Sequence, residues 1–162
     1  MSTPKKTNAC RLLDQHSIPY TVRSYEVDES DLSADAVSAK TGLPVSQLYK
    51  TLCVIAEDRA VLLAVVPGDR ELDPKALARV AQKRALSPAP MKALFALTGY
   101  VRGGVTALAC KKPYPVYLDA SALALPLISV SAGQRGLQIL LAPQDYVAAT
   151  HATVAEIARD KT

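Results

Sequence analysis

The stretch "LYKTLCVIAE" is followed, after only Asp58 and Arg59, by "AVLLAVVPG", and this pair of apolar runs constrains the fold more than anything else in the chain. Two β-forming runs joined by so short a polar link leave room only for a tight hairpin, so the strands are antiparallel neighbours. A lysine interrupts the first run. In an extended strand Lys50 shares a face with Leu48, Leu52, Val54 and Ala56, none of which offers it a partner. Burying an unpaired ammonium is costly. Lys50 therefore either snorkels to solvent, the commoner arrangement for such a residue, or sends its head into a cleft while its stem packs.

Around the hairpin the pattern alternates between helix and strand. Ser2 or Thr3 caps a helix with Pro4 in its first turn, which ends before Pro19, and a strand follows over about Tyr20 to Tyr25. "DLSADAVSAKTG" is a short helix capped by Ser33 and stopped by Gly42. Asp73 with Pro74 opens a helix to about Arg84, and Ser87 with Pro88 opens a second that stops at Gly99. "PVYLDA", "LISVSAG" and "GLQILLAP" are strands, and Pro143 to about Arg159 forms one or two closing helices. The expectation is an α+β fold. Without repeat, linker or low-complexity tract, the 162 residues form one domain.

Composition narrows the function classes. Cys10, Cys53 and Cys110 are scattered and odd in number, without the spacing of a disulfide framework or a zinc site. Reduced thiols in the cytoplasm are expected, with no metal and no cofactor. "MSTPKKTNAC" has no apolar core for a signal peptide, and no apolar run is long enough to span a membrane. The formal net charge of +4 permits contact with a polyanion. Lys111 and Lys112, with Lys5, Lys6, Lys83 and Arg84, are candidates for a phosphate-attracting rim, though solvated surface charge is the ordinary role of each.

No GxSxG, HExxH or P-loop pattern is present, and the two histidines, His16 and His151, fall in helix-end and turn positions. That pattern argues against an enzyme with a Ser-His-Asp or Cys-His set. Cys53 alternates with Lys50 and faces the other side, as a small core residue. Two loops remain. In "TGYVRGGVTALACKK", Gly103 and Gly104 allow backbone conformations that aim amide hydrogens at a phosphate or an oxyanion, although a helix stop and flexible turn accounts for a lone glycine pair as well. "VSAGQRGL" fits a hairpin with Gly133 and Gly136 in the turn and Arg135 exposed at its tip.

Four segments taken in order, "YEVDE" (Tyr25 to Glu29), "QLYKTL" (Gln47 to Leu52), "TGYVRGG" (Thr98 to Gly104) and "SAGQRGL" (Ser131 to Leu137), resemble the YbaK family of aminoacyl-tRNA deacylases. The resemblance extends from "RLLDQHSIPY" to "LAPQDY". It implies a mixed, strongly curved central sheet or barrel with surrounding helices, related to the editing insertion of bacterial prolyl-tRNA synthetases. It implies trans-editing hydrolysis of mischarged aminoacyl-tRNA, with Cys-tRNA(Pro) favoured and prolyl-tRNA synthetase as a partner. Lys50, Gly103 and Gly104 then act at the ester, while Tyr25, Thr98, Tyr100, Ser131, Ala132, Gly133 and Gln138 bind substrate. The chain departs from the family pattern at Ala132, where a glycine is usual, at Ala107, where proline is usual, and at Gln138, where aspartate is usual. A glutamine offers the substrate a neutral hydrogen bond in place of a charge, so deacylation of Ser-, Thr- or Ala-tRNA by water is the alternative. A non-catalytic tRNA- or synthetase-binding module is a further one.

Overall fold

The hairpin sits at the centre of the computed structural model, which describes residues 6–162. The first half of the chain forms α1 (Asn8–Gln15), β1 (Thr21–Ser24), α2 (Ala34–Thr41), β2 (Tyr49–Ala56) and β3 (Val61–Pro67). Then come β4 (Arg70–Leu72), α3 (Pro74–Ala81), β5 (Leu86–Pro88) and α4 (Leu94–Thr98). The last part adds β6 (Val116–Asp119), β7 (Ile128–Ser131), β8 (Leu137–Leu141), α5 (Pro143–Thr150), β9 (Thr153–Ala155) and β10 (Ala158–Asp160). The architecture is mixed, as expected from the pattern.

Strands β2 and β3 pair antiparallel from Tyr49 opposite Pro67 to Ile55 opposite Val61. They form the middle of a five-stranded sheet of order β5-β2-β3-β6-β9, in which β3–β6 and β6–β9 are parallel. The continuous apolar run of β3 follows from burial on both faces. Leu63 and Val65 enter the main core with Leu13, Leu118, Ile139 and Tyr146, while Leu62, Ala64 and Val66 join Leu77 and Ile157 on the other side. Strands β1, β8 and β7 make an antiparallel sheet, joined to β2 by a bridge between Leu48 and Ser129, and β10 pairs with β4. Among the described residues all three sheets are open, so the barrel form of the expectation is not realised. No described helix is long and apolar enough to cross a membrane.

Local signals decide several boundaries. Ser33 caps α2 by accepting from the Ala36 amide, and Gly42 ends it in the left-handed region. At the end of β3, Gly68 is required by packing: a Cβ there would lie 2.7 Å from that of Ala34.

Four expectations are corrected. The cap of α1 is Thr7, whose hydroxyl accepts from the Cys10 amide at 3.2 Å, and Ser2, Thr3 and Pro4 lie outside the described residues. Helix α3 ends at Ala81 because Gln82 turns left-handed (φ 58°), and Lys83 is drawn to Asp58 at 2.7 Å. Ser87 and Pro88 do not start a helix. They belong to β5, paired with Val54 to Ala56 at the sheet edge, where the missing proline N–H costs nothing. Past α5 the chain forms β9 and β10 instead of more helix, because His151 turns left-handed (φ 56°) and the two short strands find partners in β6 and β4.

A buried carboxylate holds this arrangement. Asp119 is 2% exposed, and its Oδ1 accepts from the amides of Ile157 (2.9 Å) and Ala158 (3.0 Å). Its Oδ2 accepts from the Ser121 amide and hydroxyl, and the Ser121 hydroxyl meets that of Tyr49 at 2.8 Å. Removing the carboxylate strands buried amides that cost about 1–3 kcal/mol each. Asp119→Ala is expected to lower stability by roughly 3–5 kcal/mol, read by denaturant unfolding, and Asp119→Asn by less. A loss under about 1 kcal/mol would show that the network contributes little.

Candidate active site

A cleft of about 470 Å³ opens where β2 runs out of neighbours. Strand β5 pairs only with Val54 to Ala56, and the Ala89 amide reaches the Cys53 carbonyl at 2.9 Å. The edge of β2 from Lys50 to Leu52 has no ladder partner on that side among the described residues. Lys50, Tyr25, Gly103, Ser131 and Gln138 all line this cleft. Residues distant in the chain thus line one cleft.

Lys50 projects from the face of β2 that carries Leu52 and Val54, beyond the point where their apolar cluster ends. Its head makes no ion pair among the described residues. Loss of hydration against the apolar wall lowers its pKa, the Lys161 cation adds to this, and Glu71 partly opposes it. Both readings of Lys50 meet here, since the stem packs and the head stands at the cleft. Gln138 is 8% exposed and lines the cleft; its Oε1 accepts from the Ser129 hydroxyl at 2.9 Å, which leaves Nε2 as the donor not engaged by that bond.

The remaining predicted residues stand behind the wall and hold it. Thr98 is fully buried, donating its hydroxyl to the Leu94 carbonyl at 2.7 Å and accepting from the Tyr100 amide at 3.1 Å. Tyr100 donates its hydroxyl to the Leu108 carbonyl at 2.7 Å, and burial pushes its pKa up to about 12. Ala132 is fully buried in the main core. The loops Thr98–Gly104 and Ser131–Gly136 fit into one another: a Cβ at Gly133 would lie 2.8 Å from Tyr100 Cε1, and one at Gly104 would lie 3.0 Å from Gln134 Cα. Gly104 is thereby turned toward the hairpin, whereas Gly103 borders the cleft. Arg135 is half-buried rather than exposed at the tip; its Nε donates to the Arg102 carbonyl at 2.7 Å, and Gln134 is the exposed residue.

Sequence reasoning missed Leu32, Val37, Leu94, Arg102 and Val105 as cleft residues. Arg102 lay inside the quoted "TGYVRGG" and was the one with a legible signal. The apolar four read as ordinary core cover. Neither histidine lines the cleft, and Cys53, which does, is buried with its thiol pKa raised by lost hydration. Of the rim candidates, Lys6 is paired with Asp14 and Lys83 with Asp58, and Lys5 lies outside the described residues.

The site is therefore a largely apolar cleft with two cations, Lys50 and Arg102, and the Gly103 turn at its border, and without a histidine-activated nucleophile. It fits an enzyme or binder that handles a substrate carrying its own reactive groups. The aminoacyl-tRNA editing domain family matches residues 29–149, and the chain belongs to that family. It is similar to EbsC of Enterococcus faecalis, named as a Cys-tRNA(Pro)/Cys-tRNA(Cys) deacylase, with 39% identity over 155 residues, 96% of this chain and 94% of EbsC. A crystal structure described as a trans-editing enzyme for prolyl tRNA synthetase superposes with a TM-score of 0.79 at 25% identity, covering 98% of this chain and 99% of that one. The crystal structure of the hypothetical protein APE2540 shares the fold, with a TM-score of 0.86 at 22% identity over 94% of this chain and all of that one.

The meeting of the two loops has a direct test. Gly133 has φ 98°, so Gly133→Ala combines backbone strain with displacement of Tyr100. It is expected to cost about 1–3 kcal/mol in chemical denaturation, and an unchanged midpoint would show that the loops tolerate separation.

Proposed function

We propose that the protein hydrolyses the aminoacyl ester of mischarged tRNA in trans, with Cys-tRNA(Pro) as its substrate and prolyl-tRNA synthetase as the enzyme whose errors it removes. The carrying observation is that Lys50, Tyr25, Gly103, Ser131 and Gln138 line one cleft in a chain 39% identical to EbsC. The likeness to a trans-editing enzyme for prolyl tRNA synthetase supports the same reading.

In this reading the terminal ribose and its phosphate enter beside Lys50, which holds the phosphate or the ester end by a charge-assisted contact. Of the two turn amides, that of Gly104 donates to the Val101 carbonyl at 2.9 Å, so Gly104 shapes the turn while the Gly103 amide is the one offered to the oxyanion that forms on the carbonyl. Tyr25 and Ser131 bound the space for the amino acid, and Thr98, Tyr100, Ala132 and Gly133 keep that wall in place. The substrate supplies the nucleophile. The cysteine sulfur attacks its own carbonyl carbon, the carbon–oxygen bond to the ribose breaks, the ribose oxygen takes up a proton, and the cyclic thioester departs to be opened by water.

Gln138 favours a second reading. Its oxygen is engaged by Ser129, so it presents a donor rather than an acceptor to the substrate's ammonium, and discrimination then rests on pocket size. Water, assisted by the neighbouring ribose hydroxyl, would attack esters of serine, threonine or alanine.

Turnover of mischarged tRNA is the first test, and its absence would leave a non-catalytic tRNA-binding module. Lys50→Ala is expected to lower kcat/KM at least about tenfold, roughly 1.4 kcal/mol, with the fold intact. The lowered pKa of Lys50 gives a sign: activity that needs the ammonium is present below that pKa and declines as pH rises through it. The decline comes at lower pH than for an ordinary lysine, and Lys50→Arg should move it upward. Unchanged turnover in Lys50→Ala would return the residue to simple snorkelling.

Comparing Cys-, Ser- and Ala-tRNA separates the two chemistries. Cyclisation requires the sulfur, so cysteine should lead by far more than the roughly 10–200-fold that a difference in pocket fit provides. Comparable rates on all three would defeat cyclisation, and Gln138→Asp should then favour substrates through their ammonium group.

A further inference from the structure

Eight of the chain's 19 Lys and Arg residues, and none of its 15 Asp and Glu residues, lie between Pro74 and Leu118. This acid-free third of the chain also carries the most exposed apolar side chains of the described residues. Phe95, the chain's single phenylalanine, is 63% exposed, and Met91, one helical turn before it, is 61% exposed. Leaving such groups in water is unfavourable unless they are used. Their position is informative, because Phe95 directly follows Leu94, which lines the cleft, as does Arg102, four residues past the end of α4.

Cations lie on the same segment as the exposed ring and at the end of its helix. Lys92 and Arg102 are exposed, and Lys111 is held against the end of α4 by its amide, which donates to the Thr98 carbonyl at 3.1 Å. Lys112 follows it, and none of these four enters an ion pair among the described residues. An exposed aromatic face on a segment that carries cations and no Asp or Glu matches single-stranded nucleic acid, whose bases stack while its phosphates pair with Lys and Arg.

Building on the proposed tRNA substrate, we infer that Phe95 is a stacking platform for an unpaired base of the tRNA 3′ end, with Lys92, Arg102, Lys111 and Lys112 holding the flanking phosphates. The platform lies outside the ester-cleaving cleft and sets how the terminal nucleotides approach it. A second copy of this chain fits less well, because four unpaired cations would meet their own kind across such an interface.

The test measures binding rather than turnover, so it stands apart from the deacylase reading. The probe is an uncharged RNA hairpin ending in four unpaired nucleotides, compared with the same hairpin cut blunt, by fluorescence anisotropy. Phe95→Leu, which keeps an apolar side chain without the ring, and Phe95→Ala should weaken binding of the tailed hairpin roughly five- to a hundredfold. Phe95→Trp should retain it, and the blunt hairpin should be insensitive to all three. Lys111→Ala with Lys112→Ala should reduce the slope of log K against log salt by about 1.4. Thermal melts of each variant check the fold, which an exposed ring leaves undisturbed.

Wild-type affinity of Phe95→Leu for the tailed hairpin would overturn the inference. So would equal losses on both hairpins, or a Phe95→Ala variant that binds RNA normally but changes oligomeric state in sedimentation. An inactive wild type whose RNA binding still depends on Phe95 would sink the deacylase reading and support this one.

Discussion

The carboxylate of Asp119 is the point on which the architecture turns. A charge at 2% exposure is tolerated only if its lone pairs are satisfied, and four hydrogen bonds do so. Those bonds reach in two directions. The amides of Ile157 and Ala158 bring the end of the chain back across the sheet, which places Ile157 in the second core and β10 beside β4. Through Ser121 the same carboxylate reaches the hydroxyl of Tyr49, the residue before Lys50. The strand that carries the cleft lysine is thus anchored at its start by a group 70 positions further along the chain.

The cleft itself is a consequence of incomplete pairing. Strand β5 is short and ends in proline, so β2 keeps its edge free over the residues that matter. The Thr98–Gly104 and Ser131–Gly136 loops close one side by mutual packing of glycines against Tyr100 and Gln134. Apolar residues form most of the remaining wall, and in such surroundings the two cations, Lys50 and Arg102, exert more influence than they would in water.

Thiol chemistry by the protein is disfavoured by the same burial. Lost hydration raises the pKa of Cys53 and pushes that of Cys110 up to about 11, so both are protonated near neutral pH and neither is a ready nucleophile. This supports the proposal that the nucleophile comes from substrate or solvent, as does a cleft whose polar side chains include Lys50, Arg102, Gln138, Ser131 and Tyr25 but no histidine.

Sequence alone determined what depends on neighbours in the chain. The Asp58–Arg59 link fixed the β2–β3 hairpin, Ser33 and Gly42 bounded α2, Asp73 with Pro74 opened α3, and "LISVSAG" and "GLQILLAP" paired as adjacent strands. The motifs around Lys50 and Gly103 were specific enough to reveal the family, because those residues form a set in fixed order. Tertiary structure decided the rest. Ser87 and Pro88 look like a helix start until the edge of β2 takes them as a strand, and the polar tail after Thr150 has no strand character until β6 and β4 offer it partners. Likewise, nothing local separates Gly103, which borders the cleft, from Gly104, which abuts Gln134, or Lys111, without an ion pair among the described residues, from the paired Lys83. Helix caps and tight turns are satisfied by atoms a few residues away, whereas sheet edges, cleft walls and ion pairs are satisfied by atoms that only the folded chain brings near.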